Sequence, residues 1–132
     1  LRLAIARIAR RLRQSGDSEL GPSALAALAT IARLGPLTPS ELASSEGVRP
    51  PTATRIVARL EEEGLIERSP DPEDGRSTLI SGTAAGRALL SGLRSRKDAY
   101  LARRLSELGD RDRATLRRAA ALLERMLEQE RS

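Results

Sequence analysis

Cysteine, histidine, phenylalanine and tryptophan are all absent from this 132-residue chain, and Tyr100 is its only aromatic residue. Without cysteine there are no disulfides, no thiol redox sensing and no thiolate metal sites. Without histidine the commonest metal ligand and the commonest general base are gone. Hydrolytic or redox catalysis would have to rest on Asp, Glu, Lys or Tyr alone, so we expect no enzyme, no cofactor and no metal. No apolar run approaches the roughly 20 residues of a membrane span, and no export signal is recognisable. The expectation is a soluble, cytoplasmic protein with no membrane partner. The missing large aromatics leave the core to Leu, Ala, Ile and Val, which lets helices approach closely and suits an α-helical architecture.

What is present is charge, at 31% of residues, with a net balance of +5. Length points to one domain, and seven prolines outside the expected helix interiors argue against disorder. The charge is unevenly spread. Residues 61–75 carry one basic and seven acidic side chains, whereas the segments on either side are each net basic. A basic chain can track phosphates, but arginine-rich helices are also ordinary solvated faces, and charge alone does not decide between them.

Leu1, Ile5, Ile8 and Leu12 recur at helical spacing with arginines between them, an amphipathic helix ending near Gly16. A second helix is predicted from Ser23 to about Leu34, stopped by Gly35-Pro36. Thr38 caps a third: Pro39 takes the first helical position and Glu41 lies three residues after the cap, a capping box. Pro50-Pro51 starts a fourth, with Ala53, Ile56, Val57 and Leu60 as its apolar face and Gly64 at its end. Residues 65–68 and 77–81 read as two strands around a polar turn. Thr83 caps a long fifth helix, and a sixth follows Gly109-Asp110.

Residues 38–81 carry the most information. They read as a helix-turn-helix followed at once by a β-wing, an order that sets one helix and one hairpin side by side, as a grip on duplex DNA requires. Gly47 makes the turn, where the chain needs a residue tolerant of positive φ. The second helix of the pair can lay Pro51, Thr52, Thr54 and Arg55 on base edges, with Arg55 the candidate for bidentate reading of a guanine. Arg59, one turn on, is expected at a phosphate, and Thr38 and Ser40 open the preceding helix toward the same surface. In the wing, Asp74 and Gly75 supply turn chemistry. Arg76 supplies a cation suited to the minor groove, and Asp74 is expected to steer it by a salt bridge. The plainer alternatives are an ordinary helical hairpin and a plain surface hairpin.

These residues resemble the MarR family of bacterial transcriptional regulators, over nearly the whole chain in order. The most specific stretch is Arg55-Ile56-Val57-Ala58-Arg59-Leu60-Glu61-Glu62-Glu63-Gly64-Leu65-Ile66-Glu67-Arg68, which looks like the family's recognition helix running into its first wing strand. Asp74-Gly75-Arg76-Ser77 is similar to the wing motif, and Thr83-Ala84-Ala85-Gly86-Arg87 resembles the opening of the family's long helix. The resemblance implies a mostly α fold with a small β-wing: a winged helix-turn-helix domain plus a helical dimerisation region. It implies an obligate homodimer on a pseudo-palindromic double-stranded DNA operator, usually a repressor relieved by a small anionic or phenolic effector. The corresponding division is a dimerisation helix at 1–20, a DNA-binding domain at 21–82 and dimerisation helices at 83–132. Three departures stand out. Pro50-Pro51 replaces the usual hydroxyl cap, Glu61-Glu62-Glu63 is more acidic than common, and the lack of rings weakens a phenol pocket.

Independently of the family, the two end segments each carry an apolar stripe. These call for a second copy unless they pack on each other within one subunit. An effector pocket, if present, is expected between the dimerisation helices and the DNA-binding lobe, with Arg10, Arg13 and Tyr100 as candidate lining. The rival from another class is a winged-helix module for protein–protein assembly, against which Arg55 and Arg76 at both expected contact points argue.

Overall fold

In a computed structural model that describes residues 1–131, the elements run α1 (Arg2–Ser15), α2 (Pro22–Leu34), α3 (Pro39–Glu46), α4 (Pro50–Glu62), β1 (Ile66–Pro70), β2 (Thr78–Gly82), α5 (Ala84–Ser106) and α6 (Asp110–Glu130). Ser132, the end of the expected 83–132 region, lies outside the described residues.

Proline opens α2, α3 and α4, where its fixed φ suits the first turn and its missing N–H has no partner to lose. At α3 the expected cap forms. The Thr38 hydroxyl oxygen accepts the Glu41 N–H at 3.1 Å, and its hydroxyl lies 3.2 Å from a Glu41 carboxylate oxygen. Gly47 ends α3 in the left-handed region at φ 66°, which swings the chain into α4. At α4 the cap position is Arg49, and no side chain caps the helix. Thr83 anchors α5 twice: its hydroxyl donates to the Gly64 carbonyl at 2.7 Å and accepts the Gly86 N–H at 3.1 Å.

The core is aliphatic. Leu28 and Ile31 of α2 pack with Leu42 of α3, Val57 and Leu60 of α4, and Ile80 of β2, all under 2% exposed. Helix α2 is the hub, in contact with α3, α4, α5 and β2. The strands pair antiparallel with Ile66 opposite Gly82 and Pro70 opposite Thr78. Both strands sit one or two residues later than the sequence suggests. The rung at Asp71, whose N–H donates to the Ser77 carbonyl, carries the ladder through Ser69 and Pro70. Leu37 adds a single rung to Ile80 through two backbone hydrogen bonds of 2.8 and 3.1 Å. This third edge went unread because one residue has no periodicity.

Helix α1 packs on α5, while α6 makes scarcely any contact with the other elements. Neither α1 nor α6 buries a residue. Leu3, Ile5 and Ile8 on one, and Leu116, Leu122, Met126 and Leu127 on the other, stand between 44% and 59% exposed. Packing of the two stripes on each other within one subunit is therefore ruled out: both face outward. Among the described residues no helix is long and apolar enough to cross a membrane.

Candidate nucleic-acid interface

The phase of α4 decides what it can present. Ala53, Val57 and Leu60 are buried at i, i+4 and i+7, which turns Pro51, Thr54 and Arg55 outward and leaves Thr52 half-buried at the edge. The turn after α3 seats α4 against that helix, so these side chains stand on a packed support. The Thr54 hydroxyl donates to the Pro50 carbonyl at 2.9 Å and keeps its lone pairs for an incoming donor. Ser40 is exposed in the first turn of α3, next to the cap residue Thr38.

Thr52, Arg55 and Arg59 share a depression of about 370 Å³ with Gly21, Pro22 and Ser23 at the start of α2. Sequence reasoning passed over Ser23. The signal was available: Gly21 caps α2 without a side-chain hydrogen bond, so the first-turn N–H groups stay open, as anion binding at a helix N-terminus uses them.

Arg59 does something the sequence does not announce. Its guanidinium donates to the carbonyls of Glu19 and Leu20, at 3.0 and 3.3 Å, and its Nε lies 3.7 Å from a Glu63 carboxylate oxygen. The side chain expected at a phosphate is engaged with the turn that precedes α2.

At the wing, two Asx-type bonds shape the tip. Asp71 accepts from the Glu73 N–H at 2.9 Å, and Asp74 accepts from the Arg76 N–H at 3.1 Å and from the Ser77 hydroxyl at 3.3 Å. Asp74 thus orients the backbone at Arg76. The expected salt bridge to the Arg76 side chain does not form, because the carboxylate is occupied by the turn, and the guanidinium is exposed. Arg68 of β1 pairs with Glu61 of α4 at 3.0 Å and fastens the hairpin to the helix.

A second, larger cleft of about 1110 Å³ opens between α1, α2 and α5. Arg10, Arg13, Arg33, Arg87, Arg94 and Lys97 stand around an aliphatic wall that includes Leu25, Leu90 and Leu93, with Asp17 the sole acid among the lining residues. The expected Arg10 and Arg13 are there. Tyr100 is not: one turn beyond Lys97 on α5, it falls outside the lining. Such a cleft suits an anion with an apolar body. Among the described residues no group of acids is arranged to hold a metal ion.

Residues 20–78 match the model of the MarR family. The chain is 41% identical over 124 residues to an HTH-type transcriptional regulator of Mycobacterium tuberculosis, an alignment covering 93% of this chain and 87% of that one. It is 34% identical over 97 residues to the HTH-type transcriptional repressor NicR of Pseudomonas putida, covering 72% and 57%. A solved transcriptional regulator from Thermotoga maritima superposes with a TM-score of 0.85 at 25% identity, over 98% of this chain and 94% of that one.

Proposed function

The chain belongs to the MarR family of transcriptional regulators, and on that premise we propose that it is a homodimeric repressor which reads a pseudo-palindromic operator through α4 and the wing. The observation that carries this reading is the phase of α4. Its buried stripe leaves Pro51, Thr54 and Arg55 at the surface and Thr52 at its half-buried edge, on a helix packed against α3. Thr38, Ser40, Asp74, Gly75 and Arg76 complete the DNA-contacting set, with Arg55 directed at a base edge and Arg76 at the minor groove.

What supports the dimer is the pair of exposed apolar stripes on α1 and α6, which a second copy would cover. Residues 21–82 then form the DNA-binding lobe, while 1–20 and 83–132 form the dimerisation region. The repressor NicR, similar over 72% of this chain, favours repression over activation. Relief of repression is assigned to a small anionic effector in the cleft between α1, α2 and α5, whose six cations face one acid.

The test is fluorescence anisotropy of a labelled fragment from upstream of the gene, titrated at several salt concentrations. The reading expects binding tighter than to random DNA by about a thousandfold or more, with a steep salt dependence. Absence of binding to any DNA at low salt overturns it in favour of a winged-helix assembly module. For the effector, a panel of aliphatic and aromatic carboxylates is screened for thermal stabilisation and release of DNA, and no response to any of them sinks the ligand assignment.

A further inference from the structure

The turn between α1 and α2, residues 16–21, touches the cleft on one side and the recognition helix on the other. On the cleft side, Gly16 sits so close to α5 that a Cβ on it would lie 2.5 Å from Lys97 Cε and 3.2 Å from the Leu93 carbonyl oxygen. Gly16 and Asp17 form the cleft wall together with Lys97. On the other side, the Arg59 guanidinium of α4 grips the carbonyls of Glu19 and Leu20 at 3.0 and 3.3 Å. Between these ends, residues 16 and 17 are bonded back to the end of α1, and residues 18–21 are bonded among themselves. Gly16 N–H donates to the Arg13 carbonyl, Asp17 N–H to that of Gln14, and Gly21 N–H to that of Ser18, while the Leu20 N–H donates to the Ser18 hydroxyl. The two bonded halves are joined by the Asp17–Ser18 peptide, so a displacement at Gly16 reaches residues 19 and 20 through a short covalent span of the chain.

The chemistry of Arg59 fits this use better than a phosphate contact. A guanidinium is planar with donors at fixed angles, and here two of its nitrogens are committed to adjacent carbonyls and the third faces Glu63 at 3.7 Å. A phosphate would have only the outward N–H groups left by those two bonds, and it would sit beside the Glu63 carboxylate, which repels it. We propose that Arg59 is a positioning residue. It ties the recognition helix to the 16–21 turn, and through that turn to the cleft, so that a change at the cleft wall shifts the surface that reads DNA. The proposal rests on the reading of α4 as the DNA-reading helix.

The experiment compares Arg59→Met, which keeps the aliphatic stem and removes the donors, with Arg59→Lys, which keeps the charge but loses the planar pair of nitrogens that grips the two carbonyls. Hydrogen exchange over residues 16–21 is followed in the free protein, and operator affinity is measured across a salt series. A positioning role gives faster exchange in both variants. It also weakens operator binding in both by about tenfold, the scale of one displaced base contact, with the salt slope unchanged. Gly16→Ala, which forces Lys97 aside, then weakens binding in the wild-type background and adds little on top of Arg59→Met, since the path is already cut. A phosphate contact gives the opposite pattern: unchanged exchange, a slope lower by about one in Arg59→Met, and near-normal binding by Arg59→Lys. That pattern overturns the proposal, as do fully additive effects of Gly16→Ala and Arg59→Met. A wild-type chain that binds no DNA overturns the reading of α4 itself, whereas unchanged exchange with intact wild-type binding overturns the positioning role alone.

Discussion

Gly86, in the first turn of α5, lies against Leu65 so closely that a Cβ on the glycine would stand 2.2 Å from the leucine carbonyl oxygen. That carbonyl accepts the Thr83 N–H at 3.1 Å, so the contact is part of the joint between the wing and the long helix. Backbone cannot swing aside as a flexible side chain can. Gly86→Ala is therefore expected to destabilise the fold by about 1–3 kcal/mol, the usual size of overpacking, despite the better helix propensity of alanine. Gly92, in the same helix, has nothing within 4 Å of its would-be Cβ, and Gly92→Ala is expected to stabilise by about 0.5–1 kcal/mol. Urea denaturation of both variants decides the matter, and equal effects of either sign would show that close approach is not what selects glycine at 86.

Thr30 is the one buried polar side chain among the described residues, at 6% exposure, and its hydroxyl donates to the Glu46 carboxylate. This bond fastens the end of α3 to the hub helix α2. Thr30→Val keeps the shape and removes the donor, leaving a half-buried carboxylate without that partner. The expected loss is about 1.5–3 kcal/mol, the range for a hydrogen bond to a charged group. Thr30→Ser, which restores the donor, should recover most of it in thermal or denaturant melts. A Val variant as stable as wild type would mean that water replaces the bond at no cost.

The helix-turn-helix was legible because each boundary has a local chemical cause. Thr38 and Pro39 start α3, Gly47 at φ 66° ends it, and Pro50 starts α4. The wing hairpin was legible for the same reason, from its turn residues. What stayed hidden depends on partners far along the chain. The Arg59 guanidinium meets carbonyls 39 and 40 residues earlier, and a backbone carbonyl carries no signature in sequence. The Leu37 rung, and the absence of Tyr100 from the cleft, likewise follow from how α1, α2, β2 and α5 settle on one another. Asp74 was placed correctly near Arg76, but its bond goes to the backbone N–H because a two-residue reach closes an Asx turn.

Leu122 and Met126 lie one turn apart on α6 at 52% and 59% exposure, on a helix with almost no support from its own chain. If a second copy covers this face, a carboxylate there must be taken out of water. Leu122→Glu is expected to weaken dimerisation by about 2 kcal/mol or more, the scale of an interface hot spot. Sedimentation velocity at micromolar concentration should then show monomer where wild type shows dimer, with operator affinity falling in parallel. A dimer that withstands the change would place the interface elsewhere.

Arg55 and Arg76 give the sharpest test of how the surface is read, because they belong to different elements and are assigned to different grooves. Arg55 rises from the exposed face of α4 beside Thr52 and Ser23, and the proposed role for it is a bidentate contact to guanine. Arg55→Ala should cost about 1–3 kcal/mol in operator binding and relax the preference at one base pair in each half-site. Arg76 extends from a tip whose backbone is fixed by Asp74, and a minor-groove cation reads width rather than a base pattern. Arg76→Ala should therefore weaken binding without altering the base preference at the Arg55 position, and the loss should be largest on sites with a narrow A·T-rich flank. Because the two side chains act independently, the double variant should lose the sum of the two effects while remaining a dimer. Anisotropy titrations on a set of single-base operator variants separate the two roles. If both substitutions merely lower affinity uniformly across all sequences, Arg55 is a phosphate contact, and the specificity must be carried by Thr52, Thr54 or the shape of the DNA.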